Sequence, residues 1–146
     1  MTAIRRLIAG LVLAAALACG LPASAGEAIG AGAGRFLYKD PATATGKTLP
    51  VWYYQPKAFT PDTPILFVMH GVKRNADVYR DNWIALAQRN GLLIVAPEFS
   101  NQNFPKSWAY NLGNVVSREA GGTLRPTPES TWSFPIVDRI FEQVRQ

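Results

Sequence analysis

Two apolar runs stand out against a chain that is elsewhere polar or rich in glycine and proline. Ile65-Leu66-Phe67-Val68-Met69 and Leu92-Leu93-Ile94-Val95-Ala96 contain no polar side chain. Runs this short and this apolar predict parallel strands covered on both faces, here over 65–70 and 92–97. Between them Val78, Tyr79, Trp83, Leu86, Ala87 and Asn90 fall near helical spacing. Asn75 stands where an N-cap belongs, Asp77 suits the first turn, and Gly91 is a good terminator, which predicts a helix over about 76–90. Strand, helix and strand in this order make a βαβ unit, whose crossover is expected to be right-handed.

Upstream, Arg35–Tyr38 reads as a short strand and Leu49–Gln55 as a second, dense in β-branched and aromatic residues. Turn residues from Pro41 to Gly46 separate them, so the pair is expected to form an antiparallel hairpin at a sheet edge. Pro50 is tolerable at the start of its strand. Gly26 to Gly34 is Gly/Ala-rich and reads as a mobile lead-in, and the three prolines from Pro56 to Pro64 mark a connection. Ser100 to Ser130 is long, polar and rich in Asn, Gly and Pro; Trp108, Tyr110 and Leu112 within it need packing partners, which favours an ordered excursion. The last segment reads as a helix. Ser133 can cap it, Pro135 fits its first turn, and Ile136, Val137, Ile140, Phe141 and Val144 share a face. The expected class is α/β: an N-terminal hairpin, a parallel βαβ unit and a final helix.

The first 25 residues have the form of a signal peptide. Arg5 and Arg6 precede the almost wholly apolar run Leu7 to Leu21, and Ala23-Ser24-Ala25 is a small-x-small cleavage site before Gly26. The apolar run is too short for a stable membrane span. The domain is therefore expected to be residues 26–146, secreted or periplasmic. Cys19 offers an alternative, a lipid anchor, although Ala16 stands where a leucine is usual.

Cys19 is the only cysteine, so the exported domain holds no disulfide. Loss of Arg5 and Arg6 lowers the formal charge from +5 to about +3. The remaining cations are scattered among acids, as in Lys73-Arg74-Asn75-Ala76-Asp77, with no basic and aromatic stripe for nucleic acid. One histidine, His70, and no spaced carboxylates leave no metal site, and no cofactor is expected.

Three stretches carry a resemblance: Val68-Met69-His70-Gly71-Val72-Lys73-Arg74-Asn75-Ala76, Leu93-Ile94-Val95-Ala96-Pro97-Glu98-Phe99, and Tyr110-Asn111-Leu112-Gly113-Asn114. In this order they resemble the N-terminal half of secreted α/β-hydrolases of the polyhydroxybutyrate-depolymerase and feruloyl-esterase type, over about residues 35 to 146. The resemblance implies a partial α/β-hydrolase sheet. It also implies that the turn after the His-Gly strand donates a backbone N–H to a developing oxyanion, the matching positions being Gly71 and Val72, with Val72 the donor. His70 would position this turn by bonding loop backbone, because the family's catalytic histidine lies farther along the chain.

The sequence contains no Gly-x-Ser-x-Gly elbow to expose a nucleophile. Ser100, Ser107, Ser117, Ser130 and Ser133 lie in the polar stretch or at a helix start, so no catalytic residue is assigned. Glu98 reads as a solvated loop carboxylate that could instead line the cleft, and Asp138 has no partner that sequence supplies. Trp108 and Tyr110 either wall a cleft or anchor the loop. The expectation is the N-terminal portion of a secreted serine esterase or depolymerase, truncated before its nucleophile elbow and inactive as it stands. The full-length parent would act on a small or polymeric ester. The alternative is an exported, non-catalytic binding or envelope protein.

Overall fold

The computed structural model describes residues 29–42 and 48–146. The expected signal segment, its cleavage site and Cys19 lie outside the described residues. The elements are β1 (Gly32–Lys39), β2 (Thr48–Gln55), β3 (Ile65–Phe67), α1 (Ala76–Asn90), β4 (Leu93–Pro97), α2 (Lys106–Ala109), β5 (Val116–Arg118), β6 (Leu124–Pro126) and α3 (Phe134–Val144). Four strands form one sheet in the order β1-β2-β4-β3, and β5 and β6 form a separate small hairpin.

β1 and β2 pair antiparallel, with Gly34 opposite Tyr53, and β2 pairs antiparallel with β4. β3 lies parallel to β4, as the βαβ pattern predicts, and is the end strand of the order. The strand is shorter than the apolar run because regular pairing stops at Phe67; one further ladder bond, Val68 N–H to Val95 O at 2.9 Å, carries the chain to His70. β1 begins earlier than the composition suggests. Gly32 to Gly34 are strand and not lead-in, for a steric reason: a Cβ at Gly34 would stand 2.3 Å from the Tyr53 ring.

Side-chain alternation along the strands divides the interior into two layers. Leu49, Val51 and Tyr53 of β2 and Leu93 and Val95 of β4 face one side, with Phe36, Tyr38, Phe99, Phe104, Tyr110 and the α3 residues Ile136 and Ile140. Ile94 and Ala96 face the other, with Val68 and the α1 residues Ala76 and Ala87, and with Trp52, Tyr54, Tyr79 and Trp83 packed around them. Every β4 residue is buried, which is why its sequence shows no alternation. Ile136 and Ile140 are fully buried, each contributing about 1.5–3 kcal/mol.

α1 ends at Gly91, whose φ of 63° is the left-handed conformation a side chain resists. Its buried face differs from the sequence expectation: Val78 is exposed and Arg80 is buried. Arg80 donates to Tyr53 O (2.9 Å) and Gly34 O (3.2 Å), ion-pairs with Asp81 at 2.6 Å, and lies over Trp52. Asn75 and Ser133 occupy the N-cap positions of α1 and α3, but neither side chain makes a cap bond. The Ser133 hydroxyl donates instead to Ala109 O at 2.7 Å, tying the start of α3 to the excursion. The 100–130 segment is ordered by α2, the β5–β6 hairpin and a 3-10 turn at Glu129–Thr131.

One ion pair joins the two ends of the described chain. Arg139 of α3 grips Asp40, just after β1, with two bonds of 2.7 and 2.8 Å. The Asp40 side chain is fully buried and Arg139 is 30 % exposed. Tyr38 and Ala42 also donate to Asp40. Among the described residues, no helix is long and apolar enough to cross a membrane. We expect Arg139→Ala to lower the unfolding free energy by about 2–4 kcal/mol, since it leaves a buried carboxylate without its cation. R139K should recover part of the loss, lysine lacking the two-pronged grip. Urea unfolding measures both, and an unchanged midpoint in R139A would contradict the assignment.

Candidate functional site at the turn after β3

The chain leaves β3 through Val68 and Met69 and reverses at His70-Gly71-Val72-Lys73-Arg74. The Arg74 N–H bonds Gly71 O at 3.1 Å, closing a β-turn with Val72 and Lys73 at its centre. His70 is 4 % exposed. Its Nε2 accepts the Phe99 N–H at 3.0 Å, which requires that nitrogen to be unprotonated; Nδ1 then carries the proton and donates to Gly71 O at 3.0 Å. Both ring nitrogens are thus committed, and His70 is not disposed as a general base. Burial pushes its pKa below the ordinary 6.5, so the ring is neutral at physiological pH.

Gly71 O accepts from His70 and Arg74 together, and this fixes more than the carbonyl. A peptide unit is planar and, here, trans, so holding Gly71 O holds the Val72 N–H pointing the opposite way. Among the described residues nothing accepts that N–H. Val72 is 86 % exposed, so the residue that carries this donor lies at an open surface. The preceding carbonyl, His70 O, accepts the Tyr110 hydroxyl at 2.6 Å.

Tyr110 is buried, its ring stacked on His70 at 4.6 Å and 27°. Burial pushes its phenol pKa up, against the opposing pull of the Arg74 charge. Of the two readings given for Tyr110, the geometry is that of a loop anchor. Trp108 is half-buried on α2, under the Arg118 guanidinium at 5.5 Å, so the β5–β6 hairpin rests beside it. Glu98 corrects the sequence reading: it is half-buried and accepts the Trp52 indole N–H at 2.8 Å, where a solvated carboxylate was expected.

Arg74 was not singled out from sequence, yet it organises the region. Its guanidinium donates to Phe99 O (2.6 Å), Phe104 O (3.1 Å) and Lys106 O (3.1 Å), and lies 4.2 Å from the Tyr110 ring centre. Its backbone is left-handed at φ 57°, a conformation that costs a residue with a side chain about 1–2 kcal/mol. The three carbonyl bonds and the ring contact offset that cost. Its neighbours in the motif gave no sign of this, because the carbonyls it gathers lie on a later loop. Tyr79 was read only as part of a helical face, but a Cβ added at Gly71 would stand 2.9 Å from its hydroxyl. Among the described residues, no three metal-ligating side chains cluster.

No family model and no curated protein matches the chain. Solved structures do. A poly(aspartic acid) hydrolase from Sphingomonas sp. KT-1 matches with TM-score 0.69 at 44 % identity, covering 80 % of this chain and 42 % of that one. A poly(3-hydroxybutyrate) depolymerase from Bordetella parapertussis matches with TM-score 0.67 at 36 % identity, covering 80 % and 38 %. This chain therefore spans about two fifths of the length of the solved chains it matches.

Two outcomes are expected from this geometry. The folded pKa of His70 lies below 6.5, so the unfolded chain binds the proton first as pH falls. The stability held by the neutral ring is full above about pH 6.5 and is lost as pH drops toward the folded value. The urea midpoint should fall between pH 7.5 and 5.5, and His70→Gln should flatten that decline; an unchanged slope would contradict it. The second outcome concerns Gly71. G71A should destabilise the chain by about 1–3 kcal/mol through overpacking against the Tyr79 hydroxyl. In the Y79F background the added methyl group meets only ring carbon, and most of that loss should disappear. Thermal melts of the two single variants and the double variant give the coupling.

Proposed function

We propose that this chain, which has the fold of the α/β-hydrolases and the sequence likeness of their N-terminal portion, carries the oxyanion-stabilising turn of a secreted hydrolase. The single observation that carries the reading is the Val72 N–H: unpaired among the described residues, on a residue open to solvent, and aimed by a carbonyl pinned from two sides. It stands at the carboxyl end of a parallel strand, where open α/β sheets bind their ligands.

Attack on an ester or amide carbonyl turns the carbonyl oxygen into an oxyanion. A donor already fixed in direction needs no reorganisation as that charge forms, and losing one such donor typically costs about 3–4 kcal/mol of transition-state stabilisation. His70 and Arg74 supply the fixing. The solved relatives are a poly(aspartic acid) hydrolase and a poly(3-hydroxybutyrate) depolymerase, which supports a polymer joined through ester or amide bonds as the substrate class. Secretion rests on the Arg5-Arg6, apolar run and Ala23-Ser24-Ala25 series, with lipid attachment at Cys19 as its alternative. The nucleophile and general base are not assigned to residues of this chain, which is inactive alone.

The test joins two measurements. A fluorophosphonate probe should label no serine of the purified chain; stoichiometric labelling would reveal a nucleophile and overturn the statement of inactivity. Residues 65–110 should then replace the matching stretch of the Sphingomonas hydrolase. Val72 occupies the turn position that proline favours, so V72P deletes the N–H while keeping the turn. In that chimera V72P should lower kcat about 10²–10³-fold with little change in KM. An active chimera indifferent to V72P would exclude the oxyanion role and favour a binding protein without catalysis.

A further inference from the structure

Tyr79 stands on the second turn of α1, and its ring is packed among apolar residues of the α1 face of the sheet. Its hydroxyl emerges against Gly71, where a Cβ would meet it at 2.9 Å and the ring carbon behind it at 3.8 Å. Among the described residues this hydroxyl has no hydrogen-bond partner. Nor is it a buried polar atom without a partner, so solvent or an incoming ligand reaches it. A phenol held by its ring keeps one freedom, rotation of its O–H, and can aim that hydrogen at whatever acceptor arrives.

The same glycine thus separates two free donors, the Val72 N–H on its carboxyl side and the Tyr79 O–H against its Cα. Gly71 has no side chain, and any side chain would fill the gap between the hydroxyl and the backbone. Tyr110 differs although it lies nearby, because its hydroxyl is already spent on His70 O at 2.6 Å. We infer that the Tyr79 hydroxyl is a second donor at this turn, binding the same carboxylate or oxyanion oxygen as the Val72 N–H. The inference rests on the reading of the turn given above and adds a side-chain donor to it. The ligand class is a carboxylate product or the tetrahedral oxyanion that precedes it.

Sodium acetate titrated into the isotopically labelled full chain tests this with a carboxylate as probe. The Val72 amide and the Tyr79 Cζ resonances should shift together with one dissociation constant. Y79F should weaken acetate about tenfold or more, the loss expected for one hydrogen bond to a charged group, and V72P should weaken it similarly. Equal affinity in wild type and Y79F would overturn the role of Tyr79 and leave the Val72 donor standing. If acetate moves neither resonance, the reading of the turn fails together with the inference. Should Y79F not fold, the wild-type titration still decides: a Val72 shift without a Tyr79 Cζ shift overturns the proposal.

Discussion

The candidate site depends on one ring bonded in two directions. His70 takes the Phe99 N–H on one nitrogen and gives its own proton to Gly71 O from the other. The first bond ties the end of β3 to the loop leaving β4, and the second sets the plane of the next peptide. A protonated ring could make the second bond but not the first, since it would have no lone pair left for Phe99. The surroundings resist that proton through burial, which outweighs the opposite pull of the bond to Gly71 O. The neutral state is therefore what holds the turn in shape.

Around this ring the structure is built from neighbours that the sheet brings together. β3 and β4 run parallel, so their carboxyl ends, and the loops that follow them, open on the same side. Arg74 then gathers three carbonyls of the segment after β4, two from the loop and one from the start of α2, and Phe99, Phe104 and Tyr110 close in an aromatic cluster beneath it. The loop is ordered because an arginine substitutes for the backbone partners that its carbonyls lack. That arrangement accounts for an irregular segment holding a fixed place without belonging to the sheet.

Much of the fold was legible because burial writes itself into periodicity. The unbroken apolar run of β4, the helical spacing of α1 and the apolar face of α3 each report a surface hidden from water. What escaped is what periodicity does not encode. Arg80 is buried though charged, because its carbonyl partners, Gly34 and Tyr53, face it only once β1 and β2 are paired. Glu98 finds the Trp52 indole across the β2–β4 pairing, and Ser133 spends its hydroxyl on Ala109 and not on its own helix. At the site, the position of the His70-Gly71 turn after a parallel strand could be read from the motif, while the contacts of Arg74 and the placing of Tyr79 against Gly71 required knowing what lay opposite them.

The grip of Arg139 on Asp40 closes a loop of 99 positions, and the core that holds Phe36 and Leu49 also holds Ile136 and Ile140. Contacts so far apart in sequence carry a loop-closure entropy that must be met before they return any stability, and they slow folding. Synthesis at about 5–20 residues per second separates the two partners by roughly 5–20 s at the ribosome. Throughout that interval the apolar face of the β1–β2 hairpin has no α3 to cover it. Helix α3 is thus a lid in time as well as in space, and the newly made hairpin keeps that apolar face open until α3 arrives.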